Sequence, residues 1–563
     1  MVRPAFLGFN IARSALFTAQ QQLDLTGHNI ANSGVEGYSR QRLHLQASPD
    51  IYGLGKAYPG SVGQGVQADQ LQRLRDAFLD KEYRLKSQEQ SYYQTRFNYA
   101  SQMESSLGEM GSSGLGLTLD KFFNSWQEVS LRPDDLSLRQ TVVAAGNDLS
   151  YSLRSFVADV TRLQLDTDRD LSQSVERVNK ISESLAHLNQ QISLRTNLGE
   201  TPADLLDQRD RLLDELSGLI QIRTDLDSNG AVQVQSNGKA LVVKNEWHAL
   251  QLRTEPDQIR GQSAVGFPFT LNRGDLVING VDILGSDAPL NIATAADAGL
   301  LVNQINLHTG QTGVVASLDA AGHLLMRSTS EASSFINIQE TGVGLSLTGI
   351  ASGDYTLTNS SSLMLPGGIY LNQPGGKIES LLNTKTQILP QTLDRVHQLS
   401  AALIRRVNTI HQNAYDLNGQ NNRPFFTGTN PATIQVSGTL QADASLLALA
   451  ADASFPPGDG SQARAVYQAR FEVSVGGKSL ETAYNALVTD MGTTIAQAQE
   501  RAETLKTVKE GIDNQRQSIA GVNMDEELSN MLQFQRSFSA AARVMNTMDE
   551  MLNQIVNGLG AGR

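Results

Sequence analysis

The sequence predicts a mixed fold, mainly α with a β insertion. Terminal coiled-coil helices, a long-helix rod domain assembled from both ends of the chain and an inserted β-rich outer domain are its expected parts. Three observations predict this. Apolar residues recur on a 3,4 spacing at both ends of the 563-residue chain. A long central stretch keeps a helical period, and the pattern then switches to period 2 before returning. A chain of this length exceeds what one core serves, so about three or four domains are expected.

The first helix is predicted from about Ala5 to Asn32. Val2, Ala5, Phe9, Ala12, Leu16, Ala19, Leu23 and Ile30 form its seam, with only Thr26 polar. Asn32-Ser33-Gly34 is the stop. Residues 37–70, rich in Gly, Pro and Tyr, read as strands and turns, and a charged helix is expected from Leu71 to about Leu107. A helical region then runs from Leu117 to Leu219, broken at Pro133 and Gly199. Within it Leu171, Val175, Val178, Ile181, Leu185, Leu188 and Ile192 share one face. A single helix over Ser150–Thr196 would be about 70 Å long, a rod rather than a globular core.

Period 2 begins at Ala231-Val232-Gln233-Val234-Gln235. Ser236-Asn237-Gly238-Lys239 is a hairpin signal ahead of Leu241-Val242-Val243. From about Thr254 to Leu365 the chain reads as β, with helix only near Ala295–Asn306. Helix resumes at Gln391–Leu417 and Leu480–Asn514, separated by a loose, Pro-containing stretch, Asn418–Gly477. The last helix, expected over Met524–Ile555 and about 48 Å long, repeats the first pattern at Met531, Phe534, Phe538, Ala541, Met545, Met548, Leu552 and Ile555. The expected units are 1–70 with 520–563 as its pair, then 71–253, the insertion 254–369, and 370–519.

An apolar seam on one side of a helix needs a partner helix. A chain with such a seam at each tail looks built to join copies of itself, and both tails are expected to order on assembly. Behind the seams the faces are polar but uncharged: Asn10, Ser14, Thr18, Gln21 and Gln22 at one end, Gln533, Ser537, Ser539 and Asn546 at the other. Packed around an axis, such faces would line a wet channel without trapping a passing charged chain.

Composition removes several function classes. A net charge of −13 without a Lys/Arg block argues against nucleic acid, whose phosphates require a basic stripe. No run approaches 18 apolar residues, so no membrane span is expected, and Asn10 and Arg13 interrupt any signal-peptide core. Cysteine is absent, which removes disulfides, thiolate metal sites and a Cys nucleophile. It also suits a chain exported unfolded through a narrow channel.

Motif-like strings do not add up to chemistry. Asp225-Leu-Asp227-Ser-Asn229-Gly230 opens like a calcium loop, but position 12 is Ser236 where a bidentate Glu belongs. It reads as a β-turn. Gly63-Gln-Gly65-Val-Gln-Ala68 lacks the buried strand and packed helix of a dinucleotide site, and Gly476-Gly477-Lys478-Ser479 lacks the first Gly of a phosphate loop. Both read as turns. The eight His residues show no helical zinc spacing; His28 and His411 are expected at the surface. No catalytic residue, metal or cofactor is predicted.

At His28-Asn29-Ile30-Ala31-Asn32, followed by Gly37-Tyr38-Ser39-Arg40-Gln41, the chain resembles the N-terminal signature of bacterial flagellar rod, hook and hook-associated proteins. His28 replaces the usual first Asn. The Gly-Tyr-Ser-Arg-Gln ending points to the hook-associated protein 1 (FlgK) family. Asp204-Leu-Leu-Asp207-Gln-Arg209-Asp210 resembles that family's helical-domain motif. Gly521-Val-Asn523-Met-Asp525-Glu526-Glu527, with Phe534-Gln535 and Ala540-Ala-Ala-Arg543-Val544, resembles its C-terminal motif. Gly63-Gln-Gly-Val66 with Arg73 and Phe78-Leu79 is similar to the stretch after the first helix. Ile278-Asn279-Gly280-Val281, Val302–Asn306 and Thr312–Ser317 resemble a small module of flagellins and other axial proteins.

The resemblance implies a structural subunit of the junction between hook and filament, secreted by the flagellar type III apparatus. It implies copies of the chain as partners in a tubular assembly, the hook protein on one side, and the second junction protein, hook-associated protein 3, on the other. A cytoplasmic export chaperone would hold the C-terminal segment. The alternatives are another axial flagellar protein, a secreted hydrolase or calcium-binding protein, and a membrane-active translocator of another type III system.

Overall fold

In a computed structural model, residues 7–48, 65–108, 114–329, 334–340, 349–357, 359–454 and 457–560 are described. Helix α1 (Leu7–Ala31) carries the first seam. Strands β1 (Gln41–Ala47) and β2 (Val66–Arg73) then pair antiparallel, from Gln41 opposite Arg73 to Ala47 opposite Val66. This corrects the helix expected from Leu71: cross-strand bonding holds Leu71–Arg73 extended. Helix α2 (Ala77–Leu107) starts after Asp76, whose carboxylate accepts the Phe78 and Leu79 N–H groups, the usual remedy for orphaned first-turn donors. The pairing also places Val66–Ala68 of the rejected dinucleotide string in a strand, not a turn; Gly63 lies outside the described residues.

Helices α3 (Leu115–Leu131), α4 (Leu136–Asn197) and α5 (Ala203–Leu219) break where Pro133 and Gly199 require. Asp135 restarts the chain by capping Ser137 and Leu138. Helix α4 has 62 residues and is about 93 Å long. Its buried stripe includes all seven positions from Leu171 to Ile192 that the periodicity selected. Strands β3 (Arg223–Leu226), β4 (Val232–Ser236), β5 (Lys239–Val243) and β6 (Glu246–Trp247) form a four-stranded meander. The turn at Asn237 and Gly238 has φ of 49° and 74°, the left-handed pair that a two-residue hairpin favours. Asn189 of α4 docks this sheet, donating to the Val232 carbonyl and accepting its N–H.

Strands β7 (Gln251–Glu255), β8 (Gln258–Ala264), β9 (Phe269–Leu271), β10 (Leu276–Ile278), β11 (Val281–Asp282) and β12 (Leu290–Ile292) lead to helix α6 (Ala298–Leu307). After it come β13 (Val314–Leu318), β14 (His323–Ser328), β15 (Ser334–Glu340), β16 (Gly353–Leu357), β17 (Ser360–Leu365) and β18 (Ile369–Tyr370). Sheets ordered β11-β10-β15-β16 and β13-β14-β8 enclose a core of Leu276, Ile278, Leu301, Ile305, Ile336 and Ile338, among others. That core is separate from the one in the helical body. β7 and β17 pair at the entry and exit of the insertion, Gln251 opposite Met364.

The helix expected from Gln391 begins earlier. Helix α7 (Gly376–Asn383) runs through a π turn at Thr384–Ile388 into α8 (Leu389–Asn413). Gly375 and Gly376, at φ of 71° and 62°, lie against Gln221 and the Leu219 backbone, where a Cβ would approach within 2.8 Å. Pro390 follows directly on the π turn in this continuous helix, and a proline there interrupts the regular hydrogen-bond ladder. The stretch expected to be loose contains helix α9 (Ser461–Ala469) and short ribbons. Helix α10 (Leu480–Ala520) extends past Asn514 and packs antiparallel on α2. Helix α11 (Met524–Gly560) ends the described chain. The body core joins residues from both sides of the insertion: the ring centroids of Trp126 and Phe425 are 5.2 Å apart, and those of Phe425 and Phe426 4.7 Å.

Candidate functional site

The two terminal seams cover each other. Helices α1 and α11 run antiparallel: Gly8 lies beside Met548, and Asn29 donates to Glu527 at the other end. Ala12, Ala19 and Ala541 are buried, and Phe9, Leu16, Leu23, Ile30, Met531, Phe534, Phe538, Met545, Met548 and Leu552 are half-buried. Most of their neighbours on α11 are exposed. Small residues permit the close approach; a Cβ on Gly8 would sit 2.7 Å from Met548 Cε. Val2 and Ala5, and the Ile555 side chain, lie outside the described residues.

A seam without a partner is therefore not what a single chain presents. Part of the face expected to be wet is covered as well. Thr18 is buried, and Ser14 Oγ accepts the Val66 N–H of the β1–β2 hairpin at 3.4 Å. Asn10 and Gln21 on α1, and Gln533, Ser537, Ser539 and Asn546 on α11, remain exposed. So do Phe17, Leu528, Leu532, Val544 and Met551, large apolar side chains outside the seam.

The motif residues of the three distant segments meet where this pair joins the body. Asn29, buried on α1, accepts the Gln41 N–H and the Tyr38 hydroxyl and donates to the Gln41 carbonyl and to Glu527 Oε2 at 3.2 Å. Arg40 Nη2 lies 2.6 Å from Glu527 Oε1, and Nη1 lies 3.0 Å from Glu526. The Arg40 N–H donates to the Ala520 carbonyl. Asn523 caps α11 by accepting the Asp525 and Glu526 N–H groups; the Asp525 side chain faces solvent. Asn32 ties back to the His28 carbonyl, Ala31 is exposed, and Gly37 makes the turn at φ 79°.

On the body side, Asp207 accepts the Ser39 N–H and pairs with Arg73 at 2.6 Å. Gln41 donates to Asp204. Asp210 receives Arg73 at 2.8 Å and Arg84 at 3.5 Å, beside Arg209, which donates to the Gly230 carbonyl. Arg516 of α10 pairs with Asp80 and Asp214 and lies over the Tyr83 ring. Asp207, Asp210 and Asp214 recur at 3 and 4 residues on α5, so one helical face holds three carboxylates against arginines from β2, α2 and α10.

Burial alone would raise the Asp210 carboxyl; Arg75, Arg209, Arg73 and Arg84 outweigh it and hold the group well below the ordinary carboxylate range. Burial raises the Tyr38 phenol, and Asp204, Asp207 and Glu527 raise it further. The hydrogen bond to Glu526 raises Arg40 despite its partial burial. Unpaired charges at such depth would be costly, so these groups fix one geometry between the terminal pair and the body.

The motifs contain Arg40, Glu526 and Glu527, but nothing in the sequence marks Glu527 as the buried acid that Arg40 and Asn29 share. Nor did the sequence reading single out Arg75, Arg84, Asp80, Asp214 or Arg516. The 3,4 spacing of acids along α5 was the available signal. His411 is a correction. It is fully buried, with Nδ1 against the Arg423 carbonyl and Nε2 accepting the Ala448 N–H, and burial lowers it to about 4. The Asp225–Gly230 string is a turn in which Asp227 accepts the Asn229 and Ala231 N–H groups. Among the described residues no group of His, Asp and Glu is placed to hold a metal, and no helix is long and apolar enough to cross a membrane.

Fold and joint together define a structural protein whose two chain ends are locked into one helical pair upon a helical body. Comparison with known proteins gives the family. The model of the flagellar hook-associated protein FlgK helical domain matches residues 100–281 and 327–426, half of the chain. The flagellar basal body rod FlgEFG protein C-terminal model matches 514–558, and the flagellin hook IN motif matches 275–330. Flagellar hook-associated protein 1 of Bacillus subtilis is 27% identical over 571 residues, covering 99% of both chains. That of Escherichia coli is 26% identical over 575 residues, covering 97% of this chain and 99% of its own. The flagellar hook junction protein FlgK from Burkholderia pseudomallei shares the fold, with a TM-score of 0.51 at 14% identity over 78% of this chain and all of that one. The chain belongs to the FlgK family of flagellar hook-associated proteins. It is a structural component of the flagellum at the hook–filament junction, and not an enzyme.

Proposed function

We propose that the paired terminal helices are the assembly element, stacking copies of this chain into a tube between the hook protein on one side and hook-associated protein 3 on the other. The observation that carries this is the outer surface of the pair. With the seams consumed inside one chain, Phe17, Leu528, Leu532, Val544 and Met551 still face outward, and lateral neighbours would bury them. Each apolar side chain so covered contributes roughly 1.5–3 kcal/mol. The exposed polar residues of the pair would then line the axis. Residues 1–70 with 520–563 act as this element, 71–253 and 370–519 as the helical body, and 254–369 as the outer insertion.

Export by the flagellar type III apparatus, with a cytoplasmic chaperone on the C-terminal segment, fits a chain without cysteine whose last helix keeps exposed apolar residues. The test is a clean deletion strain examined by electron microscopy, with flagellin assayed in the medium. Finished hooks without filaments, and shed flagellin, are expected. Loss of the hook itself, or normal filaments in the absence of a second gene copy, would overturn the adaptor role. Restoring the strain with Leu532→Asp tests the outer face: failure to form filaments is expected, and full recovery would exclude that face.

A further inference from the structure

The inserted β unit and the helical body have separate cores. Among the described residues of 258–357, Phe335 of β15 packs against the body core. It stacks on His397 of α8, ring centroids 4.8 Å apart and planes 13° from parallel. His397 is buried, yet neither ring nitrogen has a hydrogen-bond partner. Its Nε2 lies 3.6 Å from Asp354 Oδ2 on β16. Asp354 is held in place by Asn337 of β15, whose Nδ2 donates to Oδ1 at 2.6 Å. Beside this contact a cleft of about 620 Å³ separates Asp168, Leu252 and Lys385 from Val315, Arg327 and Thr329. The inserted unit thus touches the body at this aromatic stack and carboxylate, beside an open cleft.

A buried neutral imidazole here would leave one N–H and one lone pair unmet. A protonated one faces a carboxylate and an aromatic ring, both of which attract a cation. The charged groups that bear on the contact are Asp354 from β16 and Arg405, two turns further along α8, which also acts on Asp354; β15 presents neutral Phe335 and Asn337. On α8 itself Asp394, one turn before His397, accepts from Gln398, while Arg395 pairs with Asp490 of α10 and Arg406 with Glu472. An imidazole ordinarily changes charge between about pH 5 and 8. We propose that His397, Phe335 and Asp354 form a proton-dependent latch that fixes the inserted unit on the helical body when His397 is charged and frees it when His397 is neutral.

The chain has no cysteine, so spin labels can be placed at Leu307→Cys on α6 and Leu165→Cys on α4, both exposed positions. Electron–electron distance distributions are recorded on the full chain at about pH 5 and pH 8. A narrow distribution at the lower pH and a broad one at the higher is expected. Asp354→Asn and His397→Gln should each remove the difference, leaving the broad distribution at both. Identical distributions at the two pH values in the labelled parent would overturn the latch. So would a pH response retained in either variant. Asp354 is partly exposed, so its variant decides the matter if the His397 substitution fails to fold by circular dichroism.

Discussion

Replacing Glu527 by Ala isolates the joint. The Glu527 side chain is 3% exposed and Arg40 17%. Its two oxygens receive Arg40 at 2.6 and 2.8 Å and Asn29 at 3.2 Å. Removing one partner of a buried pair typically costs about 3–5 kcal/mol, because the remaining charge stays buried. Arg40 keeps its exposed partner Glu526 and can turn toward it, so about 2–3 kcal/mol is expected. That loss falls on the attachment of α1 and α11, not on the body core, whose aromatic cluster lies elsewhere. Hydrogen exchange read by mass spectrometry on the dilute monomer is the assay. Since 1.4 kcal/mol is tenfold, amides of α1 that open with the joint should exchange roughly 30–150 times faster. Amides of α3, α4 and α8 should be unchanged. Glu526→Ala, at the solvent face, should alter α1 far less. Unchanged α1 exchange in Glu527→Ala, or equal effects of the two substitutions, would refute the assignment of Glu527 as the buried anchor.

Phe538→Asp places a charge in the seam opposite α1; it should abolish polymerisation measured by sedimentation while the thermal transition of the body persists. His411 is held near 4 by burial, below its ordinary 6.5. Its contribution is therefore fully present above about pH 6.5 and lost as pH falls toward 4, on the order of 3 kcal/mol in all. Urea titrations of His411→Gln should show a flatter pH dependence in that window than the parent. Gly37→Ala meets no clash, the nearest atoms of Arg211 lying 3.7 Å from the added carbon. It must still hold φ near 79°, so a loss of about 1–2 kcal/mol is expected in chemical denaturation of the terminal pair, and a neutral result would mean the turn relaxes.

Several elements were legible because their causes are local. The 3,4 seams selected the faces that pack between α1 and α11, and Pro133 and Gly199 marked both breaks of the long helical region. Asn237-Gly238 announced its hairpin because few other residues tolerate two left-handed conformations in succession. The start of α7 was missed because the Gly375-Gly376 pair reads as loop in sequence. Only the end of α5 and Gln221 just after it explain why two glycines stand there. The surface reading of His411 failed for the same reason: its partners, the Arg423 carbonyl and the Ala448 N–H, come from a stretch without periodicity.

By itself the sequence determined the helical faces, the position of the β insertion and, through motif resemblance, the family, since periodicity, turn chemistry and short motifs depend on near neighbours. Only the tertiary structure decided that the seams cover each other within one chain, and that Asn29, Arg40 and Glu527 share one buried contact. It alone set Asp207 and Asp210 against Arg73. Those pairings join residues more than a hundred positions apart, and their strength comes from burial, which no local pattern records.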